Sequence, residues 1–362
     1  MLEEAKELQD ELLRVRRLLH SNPELSFEEF ETKKFLVEQL TELGFKVRDG
    51  FLPTAVVAEL GEAPFIALRS DMDALPIQEQ NASAYASRKP NVMHACGHDA
   101  HMACMLGAAR LLALSSAKFK KGIRIIFEPG SESADRSGAR ELIDAGVLNG
   151  VEGILGFHVD STLAAFDVSV VKDAGLQSTK LQISARPAGG DETIHQFGNL
   201  ICKLKEALPG TCGRSALKRL QFSRIESAEN LRLNLVLNAE NADDMNKALS
   251  TLRAICDGAA PGIAWQVTDE GSGTADNSKI SGQFLQSVAE EICSKEKLKL
   301  TTRRAWSKDF EVYGEHVSAA FFYLGTSCGP RSHHSSTFEI DERTLYLASA
   351  VMAKAALLAA SS

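Results

Sequence analysis

Leu8, Leu12, Leu13, Val15, Leu18 and Leu19 recur at helical spacing and predict one helix over about residues 2–20. Asn22-Pro23 ends it. Ser26 followed by Glu29 has the form of a capping box, and the apolar positions after it predict a second helix that stops at Gly44. Short apolar runs follow at 55–60, 65–69, 123–128 and 153–158, with helical stretches at 102–114 and 136–145 between them. Strands alternating with helices predict an α/β sheet, whose ligands gather at the carboxyl ends of the strands.

The pattern changes near Gly175. It then predicts a strand (179–185), a helix (193–208), strands at 217–225 and 231–237, a helix (242–257) and a strand (263–267). That βαββαβ order is the split-βαβ, ferredoxin-like arrangement. The Gly/Ser/Asn-rich stretch 271–278 closes it, an α/β pattern resumes, and 345–359 predicts a final amphipathic helix. We therefore expect one domain made of residues 1–174 and 272–362, with a smaller domain, 175–271, inserted into it. No internal repeat is visible.

Composition narrows the function classes. A chain of 362 residues is long enough for two domains. Its formal net charge of −8, with no block of like charges, speaks against a nucleic-acid partner. Seven scattered cysteines without a CxxC pair suit reduced thiols better than a disulfide framework. The N-terminal stretch lacks the basic-then-apolar order of a signal peptide, and no run looks like a membrane span of roughly 20 apolar residues. These features point to a soluble cytoplasmic protein without a membrane partner.

Three of the nine histidines crowd into Met93–His101, MHACGHDAH. The stretch reads as a metal site, as a thiol–histidine nucleophile, or as a polar helix entry holding a buried cysteine. The run at 65–69 carries Asp71 and Asp73 to its end. The run at 123–128 leads to Glu128 and Glu132, and the run at 153–158 to His158 and Asp160. Farther on, RSHHSS offers His333 and His334. Together, several strand ends deliver thiolate, imidazole and carboxylate to one region, a donor set that suits zinc, manganese or cobalt-type ions. A cysteine nucleophile would leave the acids unexplained, and GSESA is not the G-x-S-x-G of a serine hydrolase.

RRLLHSNPELSFEEFET, ALRSDMDALPIQE, MHACGHDAHMACMLGAARLL, GILGFHV and HHSSTFEIDE resemble, in order, the motifs of the metal-dependent amidohydrolases related to aminoacylase. That group includes hippurate hydrolases, auxin-conjugate hydrolases and N-acetyl-diaminopimelate deacetylase. The resemblance implies a catalytic domain with a mixed sheet flanked by helices, plus an inserted ferredoxin-like lid through which two copies pair. It implies that Cys96, His98, Glu132, His158 and His334 bind two divalent ions, zinc or manganese, with cobalt or nickel as alternatives. Asp73 would orient a ligand. The implied reaction is hydrolysis of an N-acyl amino acid, a dipeptide-like compound or a related small amide by a metal-activated water.

The chain departs from that family at acid–base and substrate-holding positions. The family reads F-Q-P-A-E-E where this chain has Phe127-Glu128-Pro129-Gly130-Ser131-Glu132. The general base of the family is thus Ser131 here, and a hydroxyl cannot exchange a proton reversibly near neutral pH. Glu128 is the nearest spare carboxylate, three residues earlier along a strand. In the lid, a family histidine that holds the substrate carbonyl is replaced by Gly189 or Gly190, while His195 matches a later one. The family's N-x-I-P turn has no counterpart in residues 226–235, and Lys308 stands where glutamate is common. Two readings follow: a hydrolase of the family type, or an impaired homologue that binds metal and ligand.

Overall fold

The computed structural model describes all residues except 116–118, 134, 172–176, 187–197, 201, 205–218, 222–230, 240–241, 259–263, 273–279, 302–307 and 362. The chain forms two compact units, one of Met1–Asp173 with Ala275–Ser362 and one of Ala174–Thr274.

The first unit is built on an eight-stranded mixed sheet. Its strands are β1 (Lys46–Arg48), β2 (Val56–Leu60), β3 (Phe65–Asp71), β4 (Gly122–Glu128), β5 (Val151–Ala164), β6 (Val168–Val171), β11 (Leu298–Thr301) and β12 (Ser318–Ser327). They lie in the order β1-β2-β4-β3-β5-β12-β6-β11. The central four, β4-β3-β5-β12, run parallel, so their carboxyl ends open on one side. β3 and β4 are buried along their whole length, which is why they read as continuous apolar runs.

Alternate residues of these strands feed two cores. Val56, Ala58, Ile66, Leu68, Ile123 and Ile125 join one cluster, and Val57, Phe65, Ala67, Ile126 and Ile154 the other. On the first face lie α1 (Leu2–Glu7), α2 (Gln9–Ser21), α3 (Phe30–Glu42), α4 (His98–Ala113), α7 (Gly282–Ile292) and α9 (Leu345–Ser361). The second face is covered by α5 (Gly138–Asp144) and α8 (Lys308–Tyr313). Every residue of α4 except Arg110 and Ala113 is buried, as expected for a helix enclosed on all sides.

The second unit contains β7 (Gln177–Arg186), β8 (Arg219–Gln221), β9 (Leu231–Ala239), α6 (Ala242–Asp257) and β10 (Ala264–Ser272). Its antiparallel sheet has the order β10-β7-β9-β8, and residues 198–200 and 202–204 are helical. Taken in chain order, its strands sit 4-1-3-2 across the sheet.

Three expectations need correction. The first helix breaks at Leu8 into α1 and α2. Ser26 and Glu29 form no capping box: Glu29 stands at the N-cap without a side-chain bond, and Glu24 caps α3 instead. Its carboxylate accepts the amides of Glu31 (3.3 Å) and Thr32 (2.8 Å). Long-range partners win Ser26 and Glu29, as shown below. Finally, Glu342–Ser361 is long and apolar enough to cross a membrane, with mean hydropathy 1.5. Burial inside the protein of 72% of its apolar window accounts for that composition, and α9 is buried almost all round rather than amphipathic.

A close helix contact falls at Gly107 of α4. A Cβ there would lie 2.6 Å from Ser349 Oγ and 2.8 Å from Leu12 Cδ2, atoms of α9 and α2. Gly107→Val is therefore expected to destabilise the protein by about 1–3 kcal/mol, the usual cost of overpacking. Urea unfolding measures it, and an unchanged midpoint would contradict the packing described.

Candidate metal centre

The register of the sheet sets the site. Asp71 at the end of β3 pairs with Glu128 at the end of β4, and Arg69 pairs with Gly156 of β5. Two residues beyond Gly156, at the level of Asp71, comes His158. The chain then reaches α4 through Gly97, whose φ of +89° and neighbours admit no side chain: a Cβ would lie 2.4 Å from Val159 Cγ2. This tight entry puts Cys96 just before the helix and His98 at its first position. His334, at φ +62°, is fixed by its amide donating to Ala95 O at 2.8 Å.

Cys96 and Glu132 form the middle of the cluster. Cys96 Sγ lies 3.4 Å from His158 Nε2 and 3.3 Å from His334 Nε2. Glu132 Oε1 lies 3.3 Å from His334 Nε2 and 3.6 Å from His98 Nε2. The other nitrogens of the two buried imidazoles are committed elsewhere. His98 Nδ1 donates to Asp73, 2.8 Å from its carbonyl oxygen and 3.2 Å from Oδ1, and His158 Nδ1 donates to Val159 O at 2.6 Å. Each therefore turns its Nε2 toward the cluster, as imidazoles oriented for a metal do.

These residues fit a divalent ion on two counts. Donors sharing a tetrahedral zinc-like ion stand about 3.4–3.6 Å apart by ordinary metal–ligand lengths, close to the separations just given. The electrostatics also ask for a cation. Burial, with Glu132 adding to it, pushes the Cys96 thiol well up, so a thiolate here needs a positive charge beside it. Burial raises the Glu132 carboxyl too, but His334 and His98 outweigh it and hold it down at about 2. Burial holds the His158 imidazole well below its ordinary value and so neutral.

The model of peptidase family M20/M25/M40 matches residues 67–358. This chain belongs to that family. An N-acetyl-L-cysteine deacetylase of Bacillus subtilis is 31% identical over 94% of this chain and 86% of its own length. Thermostable carboxypeptidase 2 of Saccharolobus solfataricus is 44% identical, over 44% of this chain and 42% of its own length. The crystal structure of the Bacillus subtilis YXEP protein, a dinuclear metal-binding peptidase of the M20 family, has a TM-score of 0.69 at 28% identity and covers 98% of both chains. This M20 chain accordingly falls among metal-dependent hydrolases.

The other sequence candidates separate clearly. Asp73 Oδ2 accepts from Ser26 Oγ at 2.6 Å and from Glu132 N at 2.8 Å, so it anchors the loop carrying Glu132 while facing His98. His333 is not among the clustered donors; its Nε2 takes the amide of Ser161 at 3.2 Å. Asp160 Oδ1 accepts from the amide and hydroxyl of Thr162 at 2.8 and 2.6 Å. His94 is buried, and neither of its nitrogens has a hydrogen-bond partner among the described residues. Gly189, Gly190, His195 and the 226–230 part of the missing turn lie outside the described residues, as does the Lys308 side chain.

Ser131 sits beside a buried arginine. Arg69 Nη2 donates to Ser131 Oγ at 3.3 Å, while Nη2 and Nε hold Glu128 in a fork at 2.7 and 3.0 Å. Tyr313 completes Glu128 with a 2.7 Å hydrogen bond. Glu128 is thus fully engaged and is no spare base.

Sequence reasoning missed three residues. His101 lies with Asp71, His98 and His158 in a second cluster of buried donor atoms, all within 4.8 Å of one another. Its helical spacing from His98 was the available signal. Asp309, at the start of α8, accepts from Ser137 Oγ at 3.3 Å; burial, with Glu128 adding to it, pushes its carboxyl up to about 7. Glu29 accepts the amide of Gly130 at 3.0 Å, and burial raises its carboxyl to about 7 as well.

Two outcomes follow. Cys96→Ala combined with His98→Ala is expected to abolish metal uptake in elemental analysis while the far-ultraviolet circular dichroism stays native; retained metal would refute the assignment. Glu29 binds its proton more tightly in the folded chain than its ordinary value of 4.5 allows in the unfolded one. Its contribution to stability is therefore present at low pH and lost as pH rises from about 4.5 through about 7. Glu29→Gln should flatten the fall in stability across that window, relative to the parent, in denaturant titrations at stepped pH.

Proposed function

We propose that this chain hydrolyses the amide bond of N-acyl amino acids or related small amides, using two divalent ions of the zinc or manganese type. One observation carries the reading: a central thiol–carboxylate pair faced by three imidazole Nε2 atoms, within an M20 fold. Similarity along nearly the whole chain to an N-acetyl-L-cysteine deacetylase supports the substrate class. Bound ions would polarise the substrate carbonyl and activate a water. Cys96, His98, Glu132, His158 and His334 would hold those ions, and Asp73 would keep the Glu132 loop and the His98 ring in register. The inserted unit would serve in substrate holding and in pairing two copies, for which β8 and β10 offer sheet edges. Six cysteines are free among the described residues, in keeping with a reducing, cytoplasmic setting.

A second reading, a metal- and ligand-binding protein with weak turnover, is favoured by Ser131. Its hydroxyl supplies no proton acceptor, and Glu128 is bound to Arg69 and Tyr313. A panel of N-acetyl amino acids with added zinc or manganese separates the two. The hydrolase reading expects measurable turnover by the parent; binding of these compounds without hydrolysis favours the second.

Arg69 also governs how a base can be restored. Its guanidinium already faces two carboxylates, Glu128 and Asp71, the latter at 2.7 Å. A third carboxylate at position 131 would be disfavoured in its charged form by these like charges. Ser131→Glu alone is therefore expected to raise the rate modestly. Combined with Glu128→Gln it should gain ~10²-fold or more, within the range of general-base catalysis. Initial-rate kinetics decide, and a double variant slower than the parent on every hydrolysed substrate would refute the missing-base account.

A further inference from the structure

His101 lies close enough to His98, His158 and Asp71 to be counted among ligands. Its hydrogen bonds exclude it. The amide of Val159 donates to His101 Nε2 at 2.9 Å, and a backbone amide can only donate, so Nε2 carries the lone pair and spends it there. The ring proton is then on Nδ1, which lies 2.5 Å from Asp71 Oδ1. Asp71 is in turn held by Arg69 Nη1 at 2.7 Å. All three side chains are buried, so no solvent competes for these bonds.

The same peptide serves two imidazoles. Val159 gives its N–H to His101 and its carbonyl oxygen to His158 Nδ1 at 2.6 Å. The His101 ring also stands edge-on to His158, with centroids 4.3 Å apart, and stacks on His98 at 5.4 Å. Tilting the Val159 peptide would swing His158 Nε2 away from Cys96.

We infer that His101 is a positioning residue: the buried chain Arg69–Asp71–His101–Val159 fixes the direction in which His158 presents Nε2 to the ion. The inference rests on the ligand assignment made above, and the experiment separates the two. His101→Phe keeps a ring of similar size and removes both hydrogen bonds. It is expected to lower metal affinity ~10–100-fold, as loss of outer partners of a ligand does, with the stoichiometry at saturating metal unchanged. His101→Gln, which can again accept from Val159, should recover much of that loss. Stoichiometry falling in His101→Phe as it does in His158→Ala would make His101 itself a ligand and overturn the proposal. Unaltered affinity would overturn it too. Metal content unchanged in His158→Ala would instead remove the ligand assignment beneath it. The parent protein gives a reading that depends on no variant. Loaded with ¹¹³Cd, ¹⁵N-histidine-labelled protein should show metal–nitrogen coupling to His158 Nε2 and none to His101, and coupling to His101 would refute the inference.

Discussion

The Asp73 carboxylate is the joint on which the centre depends. One oxygen takes the hydroxyl of Ser26 and the amide of Glu132, and the other faces His98 Nδ1. The turn before α3, the loop after β3, the first turn of α4 and the loop after β4 thereby meet at one buried acid. A buried carboxylate without partners is costly, so these segments must arrive together for any of them to be stable there. The positions of the inward-facing nitrogens and of Glu132 then follow from the backbone instead of from flexible side chains.

Charge balance supplies the second constraint. Arg69 is the guanidinium buried between Glu128 and Asp71, and it also touches Ser131. Relative to the family pattern, a carboxylate stands at 128 where glutamine is usual and is missing at 131 where glutamate is usual. Arg69 touches both positions. The carboxylate at 128 lies inside the sheet, where it holds Arg69 and accepts from Tyr313.

Much of this was legible in the sequence because the strands of an enclosed sheet are uniformly apolar and the donors stand at their ends. β3, β4 and α6 lie where periodicity placed them, to within a few residues. The short strands β1, β6 and β11 were not read, being three or four residues long and lacking a continuous apolar pattern. The same local view misjudged the broken first helix and the enclosed last one, whose surroundings come from distant segments. At the site, residue type singled out Cys96, His98, Glu132, His158 and His334, and the structure brings them together. It could not show that His101 Nε2 accepts the amide of Val159, because that bond is set by the fold. Nor could it show that Glu128 was occupied, since Tyr313 lies 185 residues away.

The turn at Ser26–Glu29 carries one more consequence, for the order in which the molecule assembles. Its side chains reach partners 47 and 101 residues distant, in Asp73 and Gly130. Contacts over such separations form only after the intervening chain has been brought round, at an entropic cost that local contacts avoid. Until then Ser26 and Glu29 have only their own neighbourhood to bond with, and the capping box written in the sequence is the arrangement open to them. In the folded protein Glu24 caps α3, which leaves Ser26 and Glu29 to brace Asp73 and the Gly130 turn.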